Sequence, residues 1–358
     1  MKKLTVILLM IITMLMLTAC AKENTNKSAQ SSIGAEAPQA TTVPDGTQAP
    51  EETKVSETSA VKIDIKIAAL KGPTAIGMVK VMEDAKAGNT ENNYHFSIEG
   101  AADAITAGMI KGEYDIAAVP SNMASVLYNK TEGAIKLAGI NTLGVLYIVE
   151  TGDTIKSLAD LKGKTIYATG LGTTPQYTLN YVLKANGIDP EKDVTIDYKT
   201  EATEVASVLE TTTDAIAMLP QPYVTTVMMK NDKLRIALNL AEEWDKVSTD
   251  GSTVVTGVVI VKKEFLENNK EAFDAFMEEY VASVAYVNEN VDAAAELVGK
   301  FDIFQAGPMK KAIPYCNITM IQGEVMKEKV SGYLTALYNQ EPKAIGGKLP
   351  DDNFYYLP

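Results

Sequence analysis

Ile67-Ala-Ala-Leu-Lys-Gly-Pro-Thr74 and Ile166-Tyr-Ala-Thr-Gly-Leu-Gly-Thr173 follow one local design: an apolar strand, a glycine-bearing turn, then a hydroxyl residue. They stand 99 residues apart, and the same offset sets Ala107 on Ala206, Asp115 on Asp214 and Ala118 on Ala217. In each copy an aspartate opens a short apolar strand that ends at a proline, Asp115-Ile-Ala-Ala-Val-Pro120 and Asp214-Ala-Ile-Ala-Met-Leu-Pro220. A strand-helix rhythm alone yields some such matches. Together they predict two α/β lobes that begin with the same supersecondary unit and face each other across a cleft.

Outward from these stretches, strands and helices alternate. Lys62 to Leu70 alternates and then turns fully apolar, as a strand entering a buried sheet does. Helices are expected at Pro73 to Lys86, Ala101 to Lys111 and Asn122 to Tyr128, with strands at Tyr94 to Ile98 and Tyr114 to Val119. The rhythm resumes with a strand at Lys164 to Thr169 and a helix at Gln176 to Ala185, closed by the C-cap signal Asn186-Gly187. It continues through Val194 to Tyr198, Ala202 to Leu209, Ala215 to Leu219 and Tyr223 to Met229. Such a βαβα order implies mostly parallel sheets flanked by helices. From Glu264 the chain turns helical, and Glu271 to Val287 sets Phe273, Phe276, Met277, Tyr280, Val281 and Val284 on one packing stripe.

In open α/β sheets, ligands sit beyond the carboxyl ends of the strands, where helix N-termini converge. Four loops take that position: Lys71-Gly-Pro-Thr74, Pro120-Ser-Asn122, Gly170-Leu-Gly-Thr-Thr-Pro175 and Pro220-Gln-Pro-Tyr223. Small residues let a ligand reach the backbone there, and Gly72, Thr74, Ser121, Asn122, Thr173, Thr174, Gln221 and Tyr223 supply the candidate contacts. For any single Thr, Ser or Asn, capping its own helix is an equal alternative.

The N-terminus carries a second signal. Met1-Lys2-Lys3 precedes a thirteen-residue apolar run, Leu4 to Met16, too short for a core of about 30 Å and suited to a signal peptide over residues 1–19. Leu17-Thr18-Ala19-Cys20 resembles the lipobox of bacterial lipoproteins, which implies acylation of Cys20 and cleavage before it. Residues 20–61 read as the lipidated cysteine and a disordered Ser/Thr/Ala/Glu/Pro tether, spanning roughly 35 Å as a random coil. The whole chain has a net charge of −13, which becomes −15 without Lys2 and Lys3. That acidity disfavours nucleic acid and anionic lipid, leaving an acyl anchor as the expected membrane contact. With Cys20 acylated, Cys316 is alone and no intramolecular disulfide forms.

The lipobox, the polar tether and the strand-Gly-Pro-helix start resemble the substrate-binding proteins of bacterial ABC importers. Leu158-Ala-Asp-Leu-Lys-Gly-Lys-Thr-Ile-Tyr167, Gly170-x-Gly-Thr-Thr and Leu183-x-x-x-Gly187, with Asp214 to Pro222, are most similar to the nitrate/sulfonate/taurine type, which also includes thiamine-precursor binders. The resemblance spans roughly residues 63 to 290 and ends by Phe301. It implies a two-lobed periplasmic-binding-protein type 2 fold, each lobe a mostly parallel sheet flanked by helices, with the ligand cleft between lobes. The first lobe is expected over 62–148 and 255–358 and the second over 149–254, with crossings near Val145 to Glu150 and Val254 to Val258. Asn141 and Thr142 near the first crossing, and Thr253 and Thr256 near the second, join the candidate contacts. The implied activity is capture of a small solute by hinge closure and delivery to a membrane permease. A lipid-anchored monomer on the extracytoplasmic face is expected, with no cofactor and no metal.

Arg235 is the only arginine, in an expected strand at Leu234 to Leu240, so an Arg-clamped carboxylate is disfavoured. The Thr/Ser/Asn/Gln loops, with Tyr177 and Tyr223 available for stacking, suit a small heteroaromatic such as a pyrimidine-like thiamine precursor. An alkanesulfonate- or nitrate-type anion, on helix N-termini with Lys71 nearby, is the alternative. Catalysis is not expected: His95 is the only histidine, and no Ser-His-Asp, Cys-His or multi-histidine set is available. A surface scaffold fits the anchor but not two hinged lobes. Trp244 either covers the cleft rim or packs on the second lobe, with packing favoured, and Tyr355 and Tyr356 in the tail have no assigned place.

Overall fold

The computed structural model describes residues 62–249 and 251–358. The expected signal peptide, Cys20 and the tether lie outside the described residues. In chain order the strands are β1 (Asp64–Leu70), β2 (Asn93–Glu99), β3 (Ile116–Pro120), β4 (Ile135–Leu143), β5 (Leu146–Thr151), β6 (Thr165–Ala168), β7 (Thr195–Tyr198), β8 (Ile216–Pro220), β9 (Leu234–Asn239), β10 (Val255–Lys262) and β11 (Ile318–Ile321). One sheet has the order β11-β4-β10-β3-β1-β2 and the other β7-β6-β8-β5-β9.

The repeat seen in sequence is visible in this order. Parallel trios β2-β1-β3 and β7-β6-β8 are each followed by an antiparallel strand, β10 or β5, and then by β4 or β9. Those antiparallel strands are the first that the chain lays down after crossing from one sheet to the other. Register refines the repeat. Ile67 faces Ile116 and Ile166 faces Ile216, while Pro120 and Pro220 hold the same place beside β10 and β5. The offset is therefore 99 at the first strands and 100 at the third. One extra residue enters the turn before β8, where Asp214 adopts φ 57°, so Asp115 corresponds to Ala215 and not to Asp214.

The first crossing is Gly144-Val145, since β4 ends in one sheet at Leu143 and β5 begins in the other at Leu146. Residues 146–148, assigned to the first lobe by the sequence boundaries, thus pair within the second sheet. The return crossing follows helix Leu240–Val247 and ends where Val255 pairs with Leu143.

Helix Lys270–Glu289 buries Phe273, Phe276, Met277, Tyr280, Val284 and Val287 against one face of the first sheet. Val281, expected on this stripe, is 40% exposed, because it follows Tyr280 by a single residue and is turned out of the packed face. The expected helix at Pro73 to Lys86 is broken into Pro73–Ile76 and Val79–Ala87. Ser283 satisfies the break: its hydroxyl donates to the Gly77 carbonyl at 2.7 Å and accepts from the Val81 N–H at 3.2 Å.

The segment after Phe301 completes the molecule. β11 pairs with β4, and the Tyr356 N–H donates to the Leu137 carbonyl at 2.8 Å. The C-terminal helix Gly323–Gln340 enters a core shared with helices Ser121–Lys130 and Thr174–Ala185, one from each lobe. Trp244 is fully buried there, stacked on Tyr181 at 3.8 Å and 5.1 Å from Tyr333, with its ring N–H donated to the Ser252 carbonyl at 3.0 Å. Burial of this kind is worth about 3–5 kcal/mol against alanine. Among the described residues no helix is long and apolar enough to cross a membrane.

Candidate functional site

The lobes meet at the turns that follow their parallel strands. Gly72 opens helix Pro73–Ile76 at φ 144°, a conformation that glycine alone adopts without strain. The Thr74 hydroxyl donates to the Leu70 carbonyl at 2.6 Å, and the Thr74 carbonyl accepts from Asn141 Nδ2 at 3.2 Å. Asn141 also donates to the Tyr280 hydroxyl at 3.0 Å and accepts from Thr142 Oγ1 at 3.2 Å. Gly257 of β10 makes this closeness possible: a Cβ there would lie 2.5 Å from both Asn141 Oδ1 and Thr74 Cγ2. Thr74, Asn141 and Thr142 are therefore brought together as a buried, mutually bonded floor. Ser121 is also buried, and donates to the Val255 carbonyl at 2.5 Å, which ties the turn after β3 to the return crossing. Beside it, the Thr256 hydroxyl oxygen is buried without a hydrogen-bond partner among the described residues.

In the second lobe, the Thr173 hydroxyl donates back to the Gly170 carbonyl at 2.9 Å. Thr174 donates across the seam to Asn122 Oδ1 at 3.2 Å, and Asn122 gives its own N–H to the Ala344 carbonyl at 3.1 Å. Asn122 and Thr174 are each 1% exposed, so this end of the seam is shut. The backbone N–H of Gln221 donates to the Val145 carbonyl at 3.0 Å, which ties the turn after β8 to the first crossing. The simple capping alternative is not what these residues do: helices starting at Pro73, Ser121, Thr174 and Tyr223 have no side-chain cap. In the first turn of the last of these, Gln221 Oε1 accepts the Thr225 N–H at 3.2 Å; each helix start remains a positive end suited to an anion or polar heteroatom.

Helix Tyr223–Lys230 separates two inter-lobe cavities. The smaller, about 490 Å³, is lined by Lys71, Thr203, Ser207, Tyr223, Phe304 and Gln305 among others. The Tyr223 ring stands edge-on to Phe304 at 5.2 Å, joining the lobes, and burial with the nearby Glu201 charge pushes the Tyr223 hydroxyl up. Lys230 at this cavity is neutralised by Glu210 at 2.9 Å, whereas Lys71 has no ion pair among the described residues. The larger, about 770 Å³, lies on the other side of the helix and is lined by Gln221, Lys311, Pro314 and Tyr315 among others. Of the sequence candidates, Gln221 and Tyr223 reach the cavities. Thr173, Thr174, Ser121, Asn122 and Tyr177 line neither. Phe304, Gln305 and Lys311 were not singled out, because only the tertiary path of the last sixty residues returns them to the seam.

Other candidates are spent elsewhere. The Arg235 guanidinium, in β9, bonds to Glu150 and donates to the Ile155 carbonyl at 2.5 Å and the Gly152 carbonyl at 3.1 Å. Burial alone would raise Glu150, but donors from Ile155 and Thr154 and the Arg235 charge hold its carboxyl below the usual range. His95 is exposed beside Asp64 at 3.1 Å. Cys316 is fully buried, and burial pushes its thiol up to about 12.

The comparisons with known proteins bear out the resemblance read from the motifs. Residues 133–294 match the family model described as NMT1/THI5 like. None of the curated proteins matches the sequence. Among solved structures, an ABC transporter from Parabacteroides distasonis is 27% identical, with TM-score 0.68, covering 82% of this chain and 98% of that one. The periplasmic aliphatic sulphonate binding protein SsuA from Escherichia coli is 13% identical, with TM-score 0.66, covering 82% and 92%. The Candida albicans CA3427 gene product, described as having the generic periplasmic binding protein fold, is 14% identical, with TM-score 0.52, covering 82% and 93%. The fold is that of the periplasmic binding proteins, as the motifs implied.

Proposed function

We infer that this chain, similar over residues 133–294 to the NMT1/THI5-like family and in fold to importer binding proteins, is the solute-binding component of an ABC importer. One observation carries the reading. Two sheets of matching strand order close on a cavity of about 490 Å³ whose wall comes from both lobes, Lys71 and Phe304 from one and Tyr223 from the other. Such a volume suits a small solute. Closure around it brings Tyr223 and Phe304 together, while Gly144-Val145 and the segment before Val255 bend. The bound form is then delivered to a membrane permease. Binding and release need no bond chemistry, and the chain is proposed as a binder rather than an enzyme. Acylated Cys20 is proposed to hold the body at the outer face of the membrane through the tether, as a monomer.

For the solute, a small uncharged heteroaromatic such as a pyrimidine-like precursor is the favoured class. With Arg235 spent on Glu150, no guanidinium remains for a carboxylate, and the Tyr223 ring with the Thr203 and Ser207 hydroxyls lines the wall. Gly72, Thr74, Ser121, Asn122, Asn141, Thr142, Thr173 and Thr174 form the surrounding floor and turns. The second reading, an alkanesulfonate- or nitrate-type anion, is favoured by the unpaired Lys71 at the same cavity. The test is thermal unfolding against a panel of pyrimidines, thiamine, sulfonates, nitrate and amino acids. A solute at 100 times its Kd adds about 2.7 kcal/mol to stability. A pyrimidine hit that Tyr223→Ala weakens and Thr173→Ala weakens less supports the first reading; a sulfonate hit abolished by Lys71→Ala supports the second. A hit unchanged in all three variants refutes the cavity assignment.

A further inference from the structure

Independently of the solute reading, the larger cavity has features of a binding site. Gln221 is 1% exposed, and its side-chain oxygen is taken twice, by the Thr225 N–H at 3.2 Å and the Thr225 hydroxyl at 2.9 Å. A backbone N–H can only donate, so the oxygen must face Thr225 and the amide nitrogen must face away. That nitrogen has no hydrogen-bond partner among the described residues, and the residue lines a cavity of about 770 Å³. The nitrogen is thus a donor open to the cavity, available to an incoming acceptor. Across the cavity, Lys310 pairs with Glu296 at 2.9 Å, but Lys311 has no ion pair among the described residues. The walls between donor and cation are Met228, Met229, Pro314 and Tyr315, with Met229 and Tyr315 still 47% and 56% exposed. No carboxylate lines the cavity.

We propose that this cavity is a second small-molecule site, on the opposite side of helix Tyr223–Lys230 from the solute cavity, and that it takes an amphipathic organic anion. The oxyanion sits between Lys311 and the Gln221 amide, and the apolar body lies on the methionine thioethers, Pro314 and Tyr315. Thioethers and an exposed ring suit such a body, since methionine adapts its shape and favours sulfur–aromatic contact. Gln221, Met228 and Met229 belong to the second lobe, and Lys311, Pro314 and Tyr315 to the first. The site therefore exists only at this separation of the lobes, and its occupant favours this arrangement.

The test uses 8-anilinonaphthalene-1-sulfonate, which joins one sulfonate to fused rings, in a fluorescence titration of the whole protein. One dye per chain is expected, with affinity falling at least tenfold in Lys311→Glu and in Gln221→Leu, and kept in Lys71→Ala, which removes the unpaired cation of the solute cavity. Lys311 is exposed, so its substitution leaves the fold intact even where Gln221→Leu does not. Dye affinity equal to that of the parent in Lys311→Glu overturns the proposal. So does affinity lost in Lys71→Ala, which would move the dye to the solute cavity. Failure of the solute panel leaves both outcomes readable.

Discussion

Gly257→Ala places a methyl group in the tightest part of the floor. The new carbon would lie 2.5 Å from Asn141 Oδ1, 2.5 Å from Thr74 Cγ2 and 3.2 Å from Thr142 Cβ. Reaching ordinary contact means a retreat of about 1 Å by two neighbours at once. Asn141 resists, because its amide nitrogen is held by the Thr74 carbonyl and the Tyr280 hydroxyl. Thr74 resists, because its hydroxyl is held by the Leu70 carbonyl at 2.6 Å. Overpacking of this kind costs about 1–3 kcal/mol, and one lost buried hydrogen bond adds about 1 kcal/mol. The sum, about 2–4 kcal/mol, corresponds to a fall in Tm of roughly 3–6 °C for a body of this size. Calorimetric melts of Gly257→Ala, Thr74→Ser and the double variant check it. Thr74→Ser removes the Cγ2 methyl, so the double variant should be more stable than the two separate losses add up to. A Gly257→Ala melt within 1 °C of the parent, or strict additivity, would refute the reasoning.

Glu150→Gln should destabilise at neutral pH by about 2–3 kcal/mol, below the ~3–5 kcal/mol of a fully buried pair, because the Arg235 side chain is 32% exposed. The folded Glu150 carboxyl titrates below its ordinary value of about 4.5. Its stabilisation is thus complete above that pH and is lost as the pH falls through the lower folded value. Denaturant unfolding at pH 7 and at pH 3.5 should show the gap between parent and variant narrowing at the acid end. Tyr333→Phe leaves the buried Thr178 hydroxyl without its 2.9 Å partner, at a cost of about 1–2 kcal/mol. Chemical unfolding followed by the single tryptophan measures it, and an unchanged midpoint would contradict the bond.

The two-lobed fold was legible because its signals are local. The parallel strands β1, β3, β6 and β8 are short apolar runs closed by Gly or Pro, and Asn186-Gly187 closes its helix as read, with Gly187 at φ 70°. The one-residue slip at Asp214 was not legible, since only pairing of β8 with β5 and β6 shows which residue faces which. The site was legible in part. Turns after β1, β3, β6 and β8 do converge on the seam, yet sequence cannot tell a hydroxyl that faces a cavity from one satisfied inside the wall. Thr74 and Asn141 proved to be floor because Gly257 lets them close on each other, a contact 116 residues from one partner and 183 from the other. Nor does any local pattern mark Gln305 or Lys311 as seam residues.

The two sheets differ in when their strands become available. All five strands of the second sheet lie within Leu146 to Asn239, an uninterrupted stretch. In the first sheet β10 fills the place between β3 and β4, and it begins only at Val255. A nascent chain emerging from its N-terminus therefore has β1 to β4 in hand but no way to join β4 to the rest. The lobe that starts first is completed last, after its neighbour has already been made. The order of assembly runs against the order of synthesis, and the late strand β10 seals the earlier half of the molecule.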